Sequence, residues 1–263
     1  MSFFEIEKEK RKDFGYLFEE CEDSCIITAL AGWAGMLWAD KKDASLCKCA
    51  LIGVGDYYFL AGDADAEAAR EMIEFIGKYH KAEEFNIRCV NKDFEALVEV
   101  VYAGSFEKYS RFATDNSEVG QDEEKLDEYI SSLPKEYSLK LIDEKIYSEL
   151  NQSSWGKEFT AAFDTVEGWK KKGLGVVILD KGLPIAGASS YSAYPGGIEV
   201  EIMTREEYQN KGLATIAGAA LIKECKKRNL KASWDAAHEQ SLHLAEKFSF
   251  KLLTKYDCYC VSR

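Results

Sequence analysis

Ile198-Glu199-Val200-Glu201-Ile202-Met203-Thr204, followed shortly by Gln209-Asn210-Lys211-Gly212-Leu213-Ala214-Thr215, is the part of the chain that decides its fold. The first segment alternates apolar and acidic residues, the period-2 pattern of a half-buried strand. The second places a glycine where a loop turns into a helix, which then runs on from Leu213 through Lys227. The first turn of a helix carries backbone N–H groups with no intrahelical partner and the positive end of the helix dipole. Gly212 lets the main chain approach an anion closely, and Lys211 adds charge. A strand, a glycine turn and a helix N-terminus together suit a pyrophosphate.

This order resembles the acetyl-CoA site of the GNAT N-acetyltransferases. Their signature, Gln/Arg-x-x-Gly-x-Gly/Ala, is matched by Gln209-Asn210-Lys211-Gly212-Leu213-Ala214. Downstream come a strand (231–234), a helix (about 239–248), Phe248-Ser249-Phe250 and a hairpin-like end, as in that family. The similarity is clearest from about residue 139 to 263. Ser233-Trp234-Asp235-Ala236-Ala237-His238, Ser241 and Leu244-Ala245-Glu246-Lys247-Phe248-Ser249-Phe250 resemble the subfamily of the zwittermicin A resistance acetyltransferase. Trp38-Ala39-Asp40 and Gly55-Asp56-Tyr57-Tyr58-Phe59-Leu60-Ala61-Gly62 resemble its N-terminal extension.

The resemblance implies an α/β fold with a mixed sheet, acetyl-CoA as co-substrate and a small-molecule amine as acceptor. It implies a pyrophosphate over Gln209 to Thr215 and a pantetheine arm along Ile202, Met203 and Thr204. The oxyanion donor would be the N–H of Ile202 or Met203. Two other functions stay open: a non-catalytic acetyl-CoA or CoA-binding module, and a protein or peptide acetyltransferase.

Acetyl transfer to an amine also needs a proton acceptor for the ammonium and a proton donor for the leaving thiolate. Glu199 and Glu201 share one side of the strand, and either is placed to be that acceptor; the alternative is a solvated face. The family tyrosine that protonates the thiolate is replaced by Ala245, its glycine by Ser249, and a familiar asparagine by His238. His238 and Ser241 are the nearest candidate acids by position. Asp235 is placed to orient an amine or to cap the next helix. Tyr191 and Tyr194 belong to the neighbouring strand.

The chain has 263 residues, 46% hydrophobic and 13% aromatic, enough for a large core and one or two domains. Its net charge of −12 argues against nucleic acid and tolerates cationic substrates. The segment Cys25 to Trp38 is too short to span a bilayer, and Met1 to Glu5 lacks a signal-peptide pattern. A cytoplasmic location, no membrane partner and reduced thiols are therefore expected, with a homodimer left open. The eight cysteines include Cys47-x-Cys49 and Cys258-x-Cys260, but no tight Cys-x-x-Cys turn, so no metal site is expected.

The expected organisation is an N-terminal α/β domain over 1–132, a degenerate copy of the same fold, and a GNAT-like catalytic domain over 133–263. The acidic stretch from Ser117 to Ser132 marks the boundary, with part of it open to a helix. The first domain reads as a charged helix up to residue 22, two strands within 46–61, a helix over 66–79 capped by Asp63 or Asp65, a strand over 86–90, a helix over 93–102 and a strand over 105–113. The second reads as strand 138–141, helices 143–150 and about 160–172, strands 175–179 and 185–194, and the Ile198 strand.

Overall fold

The computed structural model describes residues 2–160, 163 and 165–262. The elements in chain order begin with β1 (Phe4–Glu5), α1 (Ser24–Leu30), β2 (Met36–Ala39), β3 (Cys49–Val54), β4 (Tyr57–Gly62), α2 (Glu67–Tyr79), β5 (Glu84–Cys89), α3 (Asp93–Val101) and β6 (Phe106–Asp115). They continue with α4 (Glu123–Ser131), β7 (Tyr137–Leu141), α5 (Glu144–Asn151), α6 (Val166–Lys172), β8 (Gly175–Asp180), β9 (Leu183–Tyr194) and β10 (Gly197–Thr204). The last are α7 (Leu213–Lys227), β11 (Lys231–Ser233), β12 (Asp235–Ala236), α8 (Glu239–Glu246) and β13 (Lys251–Ser262). A 3-10 helix spans Lys8–Phe18, where a charged helix up to residue 22 was expected, and short 3-10 turns occur at Gly156–Thr160 and Glu206–Tyr208, among others.

Two compact units emerge, one of residues 1–111 with 256–263, the other of residues 112–255. In the first, the strands run in the order β1-β2-β3-β4-β5-β13-β6. β4 and β5 are parallel, with α2 as the crossover, while β2-β3-β4 form an antiparallel meander. One face of this sheet packs Leu51, Tyr58, Leu60, Phe85, Ile87 and Tyr259 against Met72, Ile73 and Ile76 of α2.

In the second unit, the sheet order is β7-β8-β9-β10-β11, antiparallel except for β10 and β11, which α7 connects. Both faces are covered, so β8 is apolar from Val176 to Leu179 instead of alternating. Val176 and Ile178 face the α7 core, Val177 and Leu179 the core under α5 and α6. Gly218 lies in the middle of α7, where a glycine costs roughly 0.5–1 kcal/mol relative to alanine. A Cβ there would come within 2.8 Å of the Phe248 ring, so the close approach of that ring explains the glycine.

The compact units divide at 111/112 and again at 255/256, within the long strands β6 and β13, where the expected domains met at 132. Several other expectations are corrected. The acidic stretch before 132, left open to a helix in part, is helical over α4: Asp122 accepts the Lys125 N–H and Leu126 is buried in the α7 core. Neither Asp63 nor Asp65 caps α2, whose N-cap residue is Ala66; Asp63 instead accepts the Asp65 N–H. The helix expected over 160–172 is α6 alone, with Thr165 as its cap; Ala161, Ala162 and Asp164 lie outside the described residues. The final segment is one 12-residue strand, not a hairpin. The strand expected over 231–234 breaks after Ser233, and β12 pairs instead with Phe112 and Ala113 of β6.

Candidate active site

That break shapes the site. β10 pairs with β11 at only three positions, the last being Glu199 with Ser233. At the same level β9 carries a bulge: Glu199 faces Ser192 and Val200 faces Ser190, leaving Tyr191 as the extra residue. From Val200 onward no strand among the described residues pairs with the β11 side of β10.

Main-chain groups alternate in direction along a strand. Arg205 N–H donates to Ile185 O on the β9 side, and Lys231 N–H donates to Gly196 O on the β11 side. The N–H and C=O of Val200, Ile202 and Thr204 therefore turn toward the gap, whereas those of Glu201 and Met203 turn toward β9. Of the two expected oxyanion donors, Ile202 is the one whose N–H points into the gap.

At the mouth of this gap lies the glycine loop. Asn210 and Gly212 adopt positive φ values of 60° and 76°, which reverse the chain into α7. Asn210 pays a left-handed strain that glycine avoids. A Cβ on Gly212 would meet no atom within 4 Å, so the space beside it is open. No side chain caps α7; its first N–H groups are left for an outside acceptor. Gln209, Asn210, Lys211 and Gly212 are exposed, and Leu213, Ala214 and Thr215 form the first turn of α7. Lys211 Nζ lies 4.7 Å from the Tyr208 ring centroid, and Gln209 Nε2 donates to Thr204 O at 3.4 Å. The Thr204 hydroxyl is buried with no hydrogen-bond partner. Lys247 Nζ donates to Thr215 Oγ1 at 3.3 Å, adding a second ammonium beside this turn.

Glu199 and Glu201 share the face of β10 opposite the α7 core, as alternation requires; Ile198 and Val200 enter that core and Met203 the other one. Glu199 is only 8% exposed, and its carboxylate accepts the Asp235 N–H at 2.6 Å. Glu201 is half-buried. On the same face the Tyr194 and Ser233 hydroxyls lie 2.6 Å apart. Burial raises the Tyr194 pKa, the Ser233 bond opposes this, and the charge of Glu199 adds to the rise.

The two candidate acids have structural partners. His238 is exposed and caps α8, its Nδ1 accepting the Ser241 N–H at 3.1 Å. Ser241 Oγ accepts the Trp234 indole N–H at 3.0 Å. Asp235 does not cap α8. Ala245 is fully buried in the α7 core. Among the described residues no cluster of three or more His, Cys, Asp or Glu forms a metal site, and no helix is long and apolar enough to cross a membrane.

A family profile described as GNAT acetyltransferase matches residues 16–259. The chain belongs to the GNAT acetyltransferase family. It is similar to a GCN5-related N-acetyltransferase-like protein from Streptococcus suis 89/1591, with 32% identity, a TM-score of 0.86, and 97% of this chain and 99% of that one covered. The uncharacterized N-acetyltransferase YdfB of Bacillus subtilis (strain 168) is 26% identical over 235 residues, 86% of this chain and 85% of that protein. A tandem GNAT protein from the clavulanic acid biosynthesis pathway shares the fold across 99% of this chain and 98% of that one, with a TM-score of 0.59 and 9% identity. The mixed α/β fold of two GNAT-like units is thus shared, and the protein is a transferase of a family that uses acetyl-CoA.

Within the acetyltransferase the two units differ at the corresponding strands. β4 and β5 pair at four positions, and Val90 N–H continues the ladder to Leu60 O. Gly62 N–H is taken up by the Asn91 side chain at 2.7 Å. Asp63, Asp65 and Glu67 lie at the start of α2, where they oppose an anion. The first unit is therefore closed where the second is open.

Thr114 and Asn116 were not singled out in the sequence, and Ser233 and Lys247 entered only within the segments quoted for the subfamily resemblance. Thr114 Oγ1 donates to Trp234 O, and Asn116 Nδ2 to Ala232 O and Ser233 Oγ. These contacts join residues more than 100 positions apart, and no local pattern announces them.

Proposed function

We propose that the protein transfers the acetyl group of acetyl-CoA to the amine of a small molecule. The observation that carries this reading is the open edge of β10 ending at the uncapped N-terminus of α7. The residues fit the cofactor: the space beside Gly212 is open, Ile202 and Thr204 present main-chain groups, and the buried Thr204 hydroxyl lacks a partner. Bound there, acetyl-CoA supplies the activated acetyl group.

The chain's own residues divide the work. The N–H groups of Leu213, Ala214 and Thr215 receive the pyrophosphate, with Gln209, Asn210, Lys211 and Gly212 forming the loop before them. The Ile202 N–H donates to the carbonyl oxygen as charge develops on it. Glu201, on the face lined by Tyr194 and Ser233, takes the proton of the incoming ammonium. No tyrosine occupies the α8 position that would return a proton to the thiolate. Ser241 keeps its own O–H after accepting the Trp234 indole, and His238 keeps Nε2, so these two are the nearest donors. The resemblance of 233–238 and 244–250 to the zwittermicin A resistance subfamily supports an antibiotic-like amine as acceptor.

A thiol-release assay with acetyl-CoA and a panel of small amines and peptides tests this. Amine-dependent CoA release supports the proposal. Release with peptides alone favours a protein acetyltransferase, and binding without release favours a CoA-binding module.

A further inference from the structure

We propose that Glu199 is a positioning residue that braces the gap between β10 and β11, a role that rests on the reading of that gap as the acetyl-CoA cleft. Glu199 is the last β10 residue paired with β11, so main-chain pairing stops at its level. Two residues beyond its partner Ser233, the chain has left for β6. The peptide between Trp234 and Asp235 lies at the point of departure and is held at both ends by side chains. Thr114 Oγ1 donates to its carbonyl at 2.6 Å, and Glu199 Oε1 accepts its N–H at 2.6 Å.

The next residues back are held the same way. Asn116 Nδ2 reaches Ala232 O and Ser233 Oγ, each at 3.2 Å, and the Tyr194 hydroxyl meets Ser233 Oγ at 2.6 Å. One wall of the gap is β10, tied by main-chain bonds to β9. The other wall is steered by four side chains, and Glu199 is the one that spans from β10 to it. A charge-assisted bond of this length is short and directional. It fixes how far the second wall stands from the first. With the carboxylate gone, Asp235 N–H loses this acceptor, and the second wall is free to shift toward or away from β10.

The test uses the full chain. Exchange of the Asp235 amide with solvent reads the brace without any cofactor, and calorimetry with acetyl-CoA reads the gap. Glu199→Ala should speed that exchange by about tenfold or more and weaken acetyl-CoA by about tenfold. Thr114→Val should weaken acetyl-CoA in the same direction. Glu199→Gln, whose carboxamide oxygen still accepts the N–H, should restore most of the affinity and keep the wild-type shape of the pH–rate profile. Unchanged acetyl-CoA affinity in Glu199→Ala, or an unprotected Asp235 amide in the wild type, would overturn the proposal. So would a Glu199→Gln variant with wild-type affinity, a kcat about 100-fold lower and an altered pH profile, which would make Glu199 the base. Wild-type protein that does not bind acetyl-CoA would instead sink the cleft assignment, with Asp235 exchange still deciding the brace.

Discussion

Lys247, just past the end of α8, donates its ammonium to the Thr215 hydroxyl in the first turn of α7 at 3.3 Å. Two cations, Lys211 and Lys247, thus lie by a helix N-terminus that already favours anions. Lys247→Ala should weaken acetyl-CoA several-fold, and the loss should shrink as salt rises and screens the exposed charge. Calorimetry at two ionic strengths checks both effects. An affinity that does not change at low salt would remove Lys247 from the site.

The first unit should bind no acetyl-CoA. Its β4–β5 ladder is closed, Asn91 occupies the Gly62 N–H, and Asp63 and Asp65 stand at the start of α2. The expected stoichiometry is one acetyl-CoA per chain, read by native mass spectrometry. Two bound molecules would show that the closed strands open.

The thiols give a stability prediction with a defined sign. Burial pushes Cys47, Cys49 and Cys225 up to about 12, whereas an unfolded thiol titrates near about 8.5. A raised folded pKa means that the contribution is complete below the unfolded value and is lost as pH climbs toward the folded one. Melting temperature should therefore fall steadily between about pH 9 and 12. In the native state at pH 8 these three thiols should resist a thiol reagent, while all eight cysteines react in non-reducing denaturant. Rapid native labelling of Cys225 would contradict its burial.

Glu201→Gln should lower kcat by about 10²- to 10⁴-fold, the usual worth of a positioned base. The deficit should narrow at high pH, where the free amine is abundant, and acetyl-CoA affinity should hold because the cofactor meets β10 through its main chain. A pH–rate series from 6 to 9 checks this. Full kcat in both Glu201→Gln and Glu199→Gln across that range would move proton removal to His238 or bulk water.

What could be read from the chain followed the range of the interaction. The alternation at Ile198–Thr204 and the glycine before Leu213 are local, and both became the expected strand and helix start. The end of β10–β11 pairing was not legible, because the chain there is held by Thr114 in the distant strand β6 and by Asn116 just past its end. Composition marked Ser117 to Ser132 as a boundary with room for a helix; in the fold, charged residues line one face of α4 and Leu126 anchors the other. His238 drew notice as a titratable group, yet its Nδ1 accepts a helix N–H, a role serine or aspartate fills at most N-caps. The surroundings of Glu199 and Glu201 also escaped sequence: the two share one face of β10, and it is the fold that buries Glu199 and sets the Asp235 N–H against it.

The most direct test of the central claim is a calorimetric titration of acetyl-CoA into the wild type and Gly212→Asp. The aspartate would put a side chain and a negative charge into the open space beside the first turn of α7, and would strain a backbone at φ 76°. The account predicts one-to-one binding to the wild type and a loss of about 100-fold or more in the variant, with both proteins folded. Equal affinity in the two proteins would contradict it.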